Sequence, residues 1–431
     1  MPARLLLALS LLACSPPIAA QPGRPLDTFA ALRAALEKNP ADIRARLSLA
    51  RLYSHAGSYA QAVAELEEAL RHSPAHLEAS LQLAGLLLEQ EAEARAVAVL
   101  EAARAAHPES AAVLFALGEA QRAMAQPEKS EEYYRAALAL ELDFAPAWLA
   151  LGEALAEKPE QGAAALETLE KYCALEPGDP RGHRALGKIR QQLNQLEEAA
   201  ADFRRALALD PDDAEAHFRL AAVLARLGRA DEAAAARQRF QELEQRRTDE
   251  RMQGLAFTNA LRDGQRLARQ NLLAEAAAQF EQALTLRPGS DVALSMLAKV
   301  EHSRGNLAAA RHHIEAAIAA NPLNAEYRYV HGLILLALKE DSSAEGELAL
   351  ASRLAPFFGD AFNQLGHLAA RRGDWPLAAQ HYKAAVAAEP DDPAYHLNLA
   401  GAYQRLGRAG DAEKHRQRFR ELTAAASKEK P

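Results

Sequence analysis

Between Pro180 and Asp213 the apolar positions recur at a helical period rather than alternating. Leu186, Gly187 and Arg190 fall on one face of a first segment, and Ala199, Phe203 and Ala206 on one face of a second. The pattern predicts two short helices back to back. Asn194 lies between them and tolerates left-handed backbone, while Pro211 stops the second helix. Neither helix can bury its apolar stripe alone, so the hairpin requires neighbours stacked on both sides.

The chain supplies them. Taking Pro40 as the end of a partial unit, copies of this pattern begin at Ile43, Leu77, Ala111, Ala145, Pro180 and Ala214. They resume at Phe257, Asp291, Ala325, Gly359 and Pro393, in steps of 34 residues except at the fourth copy and the middle junction. The eighth position of every copy is small: Ala50, Ala84, Gly118, Gly152, Gly187, Ala221, Gly264, Ala298, Gly332, Gly366 and Ala400. The second helix repeats the device with Ala62, Ala96, Ser130, Ala165, Ala199, Ala233, Ala276, Ala310, Ala344, Ala378 and Ala412. Small residues at both places let paired helices approach closely. Closing prolines recur at Pro74, Pro108, Pro177, Pro211, Pro288, Pro322, Pro356 and Pro390.

This 34-residue pattern resembles the tetratricopeptide repeat family, whose units are helix-turn-helix hairpins. The resemblance implies an all-α fold, a right-handed α-solenoid of about eleven repeats in two blocks. The departures are local. The tryptophan favoured early in the family's first helix occurs only as Trp148, Asp263 and His331 replace a leucine, and Leu142 replaces a closing proline.

After Gly228 the sixth copy runs on without a proline, and Arg237 to Leu243 is echoed by Arg416 to Leu422 near the end of the chain. Each block is therefore expected to finish in an amphipathic helix that covers its open end. The expected organisation is a targeting segment (1–20), a tether with a half-repeat (21–42), a first block (43–243), a charged helical spacer (244–256), a second block (257–423) and a tail (424–431). Residues 1–20 combine Arg4 with the apolar run Leu5 to Ala13, as an export signal does. Cleavage after Ala20 and a lipobox ending at Cys14, which would then be lipidated, are both written into it. The expected location is exported, either periplasmic or as a membrane-anchored lipoprotein of a bacterium.

Composition supports helices and narrows function. Helix-forming residues dominate, and a net charge of -8 with both signs interspersed argues against a nucleic-acid partner. Beyond Cys14 only Cys173 remains, which excludes an internal disulfide in the mature chain. No phosphate loop, nucleophile elbow or zinc-binding helix motif occurs, and the adjacent His312 and His313 diverge on a helix too far to share an ion with His302. The expectation is a non-enzymatic protein with no cofactor, no metal and no catalytic residues, binding a protein or peptide partner and touching membrane only through a lipid anchor.

Family resemblance implies a concave wall lined by first helices, with the second, fifth, ninth, twelfth and thirteenth positions facing a ligand. In the first block these positions give Glu119, Glu153 and Glu157, followed by a basic rung of Arg181, Arg184 and Lys188. In the second they include Tyr329, Asn363, His367 and Arg371. Chaperone-binding members hold a terminal carboxylate with a Lys-and-Asn clamp, but Glu153 stands where an asparagine is needed. The expected role is a scaffold for envelope assembly or secretion; the alternative is an accessory subunit that presents substrate to an extracytoplasmic enzyme.

Overall fold

A computed structural model describes residues 25–428, and among these it contains 22 α-helices, one 3-10 turn and no strand. The chain divides into two compact units, one formed by residues up to Ser54 with Tyr59–Met252, the other by His55–Ser58 with Gln253–Pro431. In the first lie α1 (Pro25–Lys38), α2 (Ile43–His55), α3 (Tyr59–His72), α4 (Leu77–Glu89), α5 (Glu93–Ala106), α6 (Ala111–Ala123) and α7 (Pro127–Leu140). They are followed by α8 (Ala145–Ala156), α9 (Gly162–Leu175), α10 (Pro180–Gln192), α11 (Leu196–Leu209) and α12 (Ala214–Arg226). A 40-residue helix, α13 (Ala230–Arg269), carries the boundary. The second unit continues with α14 (Leu273–Leu286), α15 (Asp291–Ser303), α16 (Leu307–Ala320), α17 (Ala325–Ala337) and α18 (Asp341–Leu354). It ends with α19 (Gly359–Arg371), α20 (Trp375–Ala388), α21 (Pro393–Arg405) and α22 (Ala409–Lys428).

Ten of the eleven first helices begin at the residue that the repeat spacing indicates. The exception is the seventh, because Phe257 lies inside α13. Other junctions turn on about four residues, with a proline in all but the one at Leu142, whereas residues 244–256 contain none and remain helical. The extra residue of the fourth copy is absorbed by a 3-10 turn, Pro159–Gln161.

The turn within every hairpin but the fourth has one recurring geometry. Gly57, Glu91, Ala125, Asn194, Gly228, Asn271, Gly305, Lys339, Gly373 and Gly407 occupy the same register, and all have positive φ between 56° and 82°. A left-handed residue after the first helix lets the following amide groups return to its last carbonyls, as when Gln195 donates to Arg190 O at 2.8 Å. Five of these positions are not glycine and carry the steric cost of that conformation.

The small column is an imprint of its partner. A Cβ built on Gly118, Gly187, Gly264 or Gly366 would stand 2.5–2.7 Å from the ring of Tyr134, Phe203, Phe280 or Tyr382. Where alanine takes the position, as in Ala50, Ala84 and Ala298, the residue at the facing register is the smaller Leu66, Leu100 or Ile314, fully buried in each case. Second-helix alanines from Ala62 to Ala412 are likewise almost inaccessible. Close-packed interiors couple the two positions, although a Cβ on Gly152 or Gly332 would stand equally close to Leu169 or Leu348.

The tryptophan position keeps its job under other names. Trp148 Nε1 donates to Leu142 O at 2.7 Å, binding the start of its helix to the preceding loop. Arg46 reaches Pro40 O at 2.7 Å, His217 contacts Pro211 O at 3.1 Å, Arg328 reaches Pro322 O at 3.4 Å and His396 contacts Pro390 O at 2.9 Å. Each satisfies a carbonyl left free by the loop.

Candidate functional site

In the first unit, the first helices bring an apolar row alongside a charged one. Phe115 and Leu149 are buried and Leu81 is half-buried, with the Phe115 ring 5.4 Å from Phe144 in an edge-to-face contact. Glu119, one helical turn beyond Phe115, is nearly enclosed. Its carboxylate accepts the Tyr134 hydroxyl at 2.6 Å, the Arg122 Nε at 3.3 Å and the Arg122 Nη2. Burial and the facing carboxylate push the Tyr134 hydroxyl far up, so it stays a donor.

Glu153 sits on the next first helix and is the centre of the group. It is open to water, yet the surrounding wall strips enough solvent from it to raise its carboxyl. Arg122 and Arg184 oppose that rise, Glu119 adds to it and Arg181 opposes it, so four expected groove residues and Arg122 share one electrostatic neighbourhood. Glu157 is exposed at the C-cap of the same helix and makes no ion pair among the described residues.

The basic rung is largely neutralised from within. Arg181 turns back to Asp179, with Nη2 at 2.6 Å and Nε at 2.9 Å from Oδ2. Asp179 is itself fixed as the N-cap of α10 and accepts the Tyr172 hydroxyl at 2.6 Å. Arg184 Nη1 lies 2.8 Å from Asp213, the buried N-cap of α12, and its Nε lies 3.8 Å from Glu215. Burial lowers the Arg184 pKa, but Asp213 and Glu215 outweigh it and hold the guanidinium charged. Lys188 alone of the three is half-buried without an ion pair among the described residues.

In the second unit, Asn363, His367 and two residues that sequence reasoning missed form a polar cluster. Asn398 Nδ2 donates to Asn363 Oδ1 at 2.8 Å, and His367 Nε2 lies 3.4 Å from Asn363 Nδ2. Both amide nitrogens can only donate, so Nε2 accepts and Nδ1 carries the proton towards the Tyr382 oxygen at 2.9 Å. Burial lowers the His367 pKa and Arg371 adds to the effect, which keeps the ring neutral. Tyr329 is half-buried with its ring 5.0 Å from Phe358, and burial followed by Asp360 raises its hydroxyl. Arg371 is exposed and held 2.9 Å from Asp341. Asn398 was visible only as an amide on the last first helix, and Tyr382 only as the large residue facing Gly366.

Cys14 lies outside the described residues. Among the described residues no helix is long and apolar enough to cross a membrane, and no group of three or more His, Cys, Asp or Glu could hold a metal ion. Burial raises the Cys173 thiol to about 11, with Asp202 adding to the rise, so the thiolate is disfavoured.

Three family models match the chain. One, described as "TPR repeat", covers residues 187–228 and 366–407. Two described as "Tetratricopeptide repeat" cover 19–68, 55–117 and 267–334, and 115–180 respectively. Together they span well over half of the sequence, and the chain belongs to the tetratricopeptide repeat family. No curated protein matches it. Solved structures similar to it include MamA from Desulfovibrio magneticus, 22% identical over 39% of this chain and 95% of that one, with a TM-score of 0.37. YrrB, titled "a TPR protein with an unusual peptide-binding site", is 22% identical over 43% of this chain and 95% of its own, with a TM-score of 0.36. A thermophilic protein from Thermus thermophilus, TTC0263, is 24% identical over 42% of this chain and 98% of its own, with a TM-score of 0.35.

Proposed function

We propose that the chain is a non-enzymatic scaffold that holds an extended segment of a partner protein against the first helices of its first unit. The observation that carries this reading is the pairing pattern around Glu153. The arginines nearby are committed to scaffold carboxylates, while Glu153 and Glu157 are exposed and make no ion pair among the described residues. Such a strip favours a segment with a basic side chain, the reverse of a clamp for a terminal carboxylate. Lys188 marks the end of the strip and disfavours a second basic residue there.

Affinity capture with the full chain, followed by titration of the recovered partner against Glu153→Lys, tests the reading. A loss of tenfold or more in affinity is expected, and unchanged affinity would reject Glu153 as the contact. Export, with envelope-assembly or secretion components as clients, is part of the same proposal. Cell fractionation is its test: the wild type should leave the cytoplasm, and if Cys14 is lipidated the Cys14→Ala variant should lose its partition with membranes.

A further inference from the structure

One slot between paired helices recurs through both units and is filled in different ways. It joins the fourth residue of a first helix to the seventh of its second helix. In the first repeat Arg46 Nη1 meets Glu65 at 2.8 Å, and in the ninth Arg328 Nη1 meets Glu347 at 3.1 Å. In the fifth repeat His183 Nδ1 stands 3.7 Å from Asp202. In the last repeat the slot holds two histidines, with His396 Nδ1 and His415 Nδ1 only 2.9 Å apart.

The protons of this pair can be placed. His396 Nε2 lies 2.9 Å from Pro390 O, which only accepts, so Nε2 carries a hydrogen. Neutral His396 therefore accepts at Nδ1, and His415 supplies the hydrogen from its own Nδ1. A single added proton fits on the far nitrogen of His415. A second does not fit, because both Nδ1 atoms would then carry hydrogens and both rings a positive charge across one hydrogen-bond length.

Among the described residues, the charged groups around the slot leave most of that charge uncompensated. On α22 itself Lys414 opposes protonation of His415 and Asp411 favours it, but Asp411 is held by Arg408 at 2.6 Å. From α21, Tyr403 packs its ring 5.8 Å from that of His415 and brings no charge at acid pH. In the loop before α21, Asp391 is paired with Arg418 at 2.9 Å and Asp392 caps α21. Helix α20 directs Tyr382 to His367 instead.

We propose that α22 is a proton-released latch: as pH falls, double protonation of the His396–His415 slot detaches this helix from α21 and uncovers Leu399, Ala402 and Tyr403. Those three side chains are buried in one cluster with Ala412 of α22. The sign follows from linkage. The docked pair binds one proton fewer than two free imidazoles, so below about pH 6.5 the detached fraction rises roughly tenfold per pH unit.

Hydrogen exchange of the full chain, read by mass spectrometry at pH 7.0, 6.0 and 5.0 and corrected for intrinsic rates, tests the latch. Protection of residues 409–424 should fall at least tenfold from pH 6.0 to 5.0, while α14, which contains no histidine, should not follow. His396→Arg with His415→Glu, which copies the Arg–Glu filling of the first and ninth repeats, should make residues 409–424 insensitive to pH. A wild-type segment as flat as α14, or a double variant that still loses protection, overturns the proposal. If circular dichroism shows the double variant unfolded, His415→Gln decides. This variant keeps a donor to His396 and should flatten the profile, and an unchanged acid loss would overturn the latch.

Discussion

Replacing Gly366 with alanine isolates what the small column does. The new Cβ would lie 2.5 Å from both Cδ1 and Cε1 of Tyr382, more than 1 Å inside a normal contact. Tyr382 is buried, and its hydroxyl is bonded to His367, so the ring cannot swing aside without breaking the polar cluster. Overpacking of this kind costs about 1–3 kcal/mol. Alanine returns about 1 kcal/mol through helix propensity, leaving a net loss of about 0–2 kcal/mol. Gly346 supplies the control, since a Cβ there meets nothing within 4 Å; Gly346→Ala should gain about 0.5–1 kcal/mol. Urea unfolding followed by circular dichroism and tryptophan emission would measure both. A double-mutant cycle adds the decisive arm, because Leu66 and Leu100 at the same register accompany Ala50 and Ala84. In a Tyr382→Leu background, Gly366→Ala should cost less than 0.5 kcal/mol, about the limit for uncoupled sites. Equal costs in both backgrounds would refute the claim that ring and glycine are matched.

Other consequences are equally specific. Ala125 and Lys339 adopt φ of 56° and 64°, so Ala125→Gly or Lys339→Gly should each stabilise by about 1 kcal/mol in the same unfolding assay. Trp148→Phe should cost about 0.5–1 kcal/mol by losing the bond to Leu142 O, and Trp148→Arg should recover much of it, as Arg46 and Arg328 do at that position. Burial raises the Glu347 carboxyl, but His331 and Arg328 lower it more, so its folded value lies below the unfolded one near 4.5. The stability it contributes is present above that unfolded value and is lost as pH falls through the folded one. The difference between wild type and Glu347→Gln, about 1–3 kcal/mol at pH 7, should therefore shrink on titration towards pH 3.

The repeat was legible because close packing leaves few choices at its columns. A glycine or alanine at a fixed register, usually with a proline one loop later, marks each hairpin whatever its surface does. The same logic misplaced the seventh first helix, since a start was assigned at Phe257 where residues 244–256 offer no helix breaker. The tryptophan position was read as degenerate because several residue types share one task, and only the carbonyl contacts of Trp148, Arg46, His217, Arg328 and His396 reveal it. Site residues were legible by register but not by partner. Asp179 and Asp213 cap α10 and α12, and nothing in the spacing of the sequence announces that they also hold Arg181 and Arg184. Likewise, the Tyr382 hydroxyl belongs to the core column by position and to the Asn363, His367 and Asn398 cluster by reach.

The partner segment is proposed to lie on the first-helix face of the first unit. Site-specific photocrosslinking reads this directly, with the photoreactive residue placed at Glu157 at the end of α8 or at Glu167 on α9. A captured partner should crosslink from position 157, and Glu153→Lys should abolish the product. Crosslinking from 167 with none from 157, or a product at 157 that survives Glu153→Lys, would contradict the account.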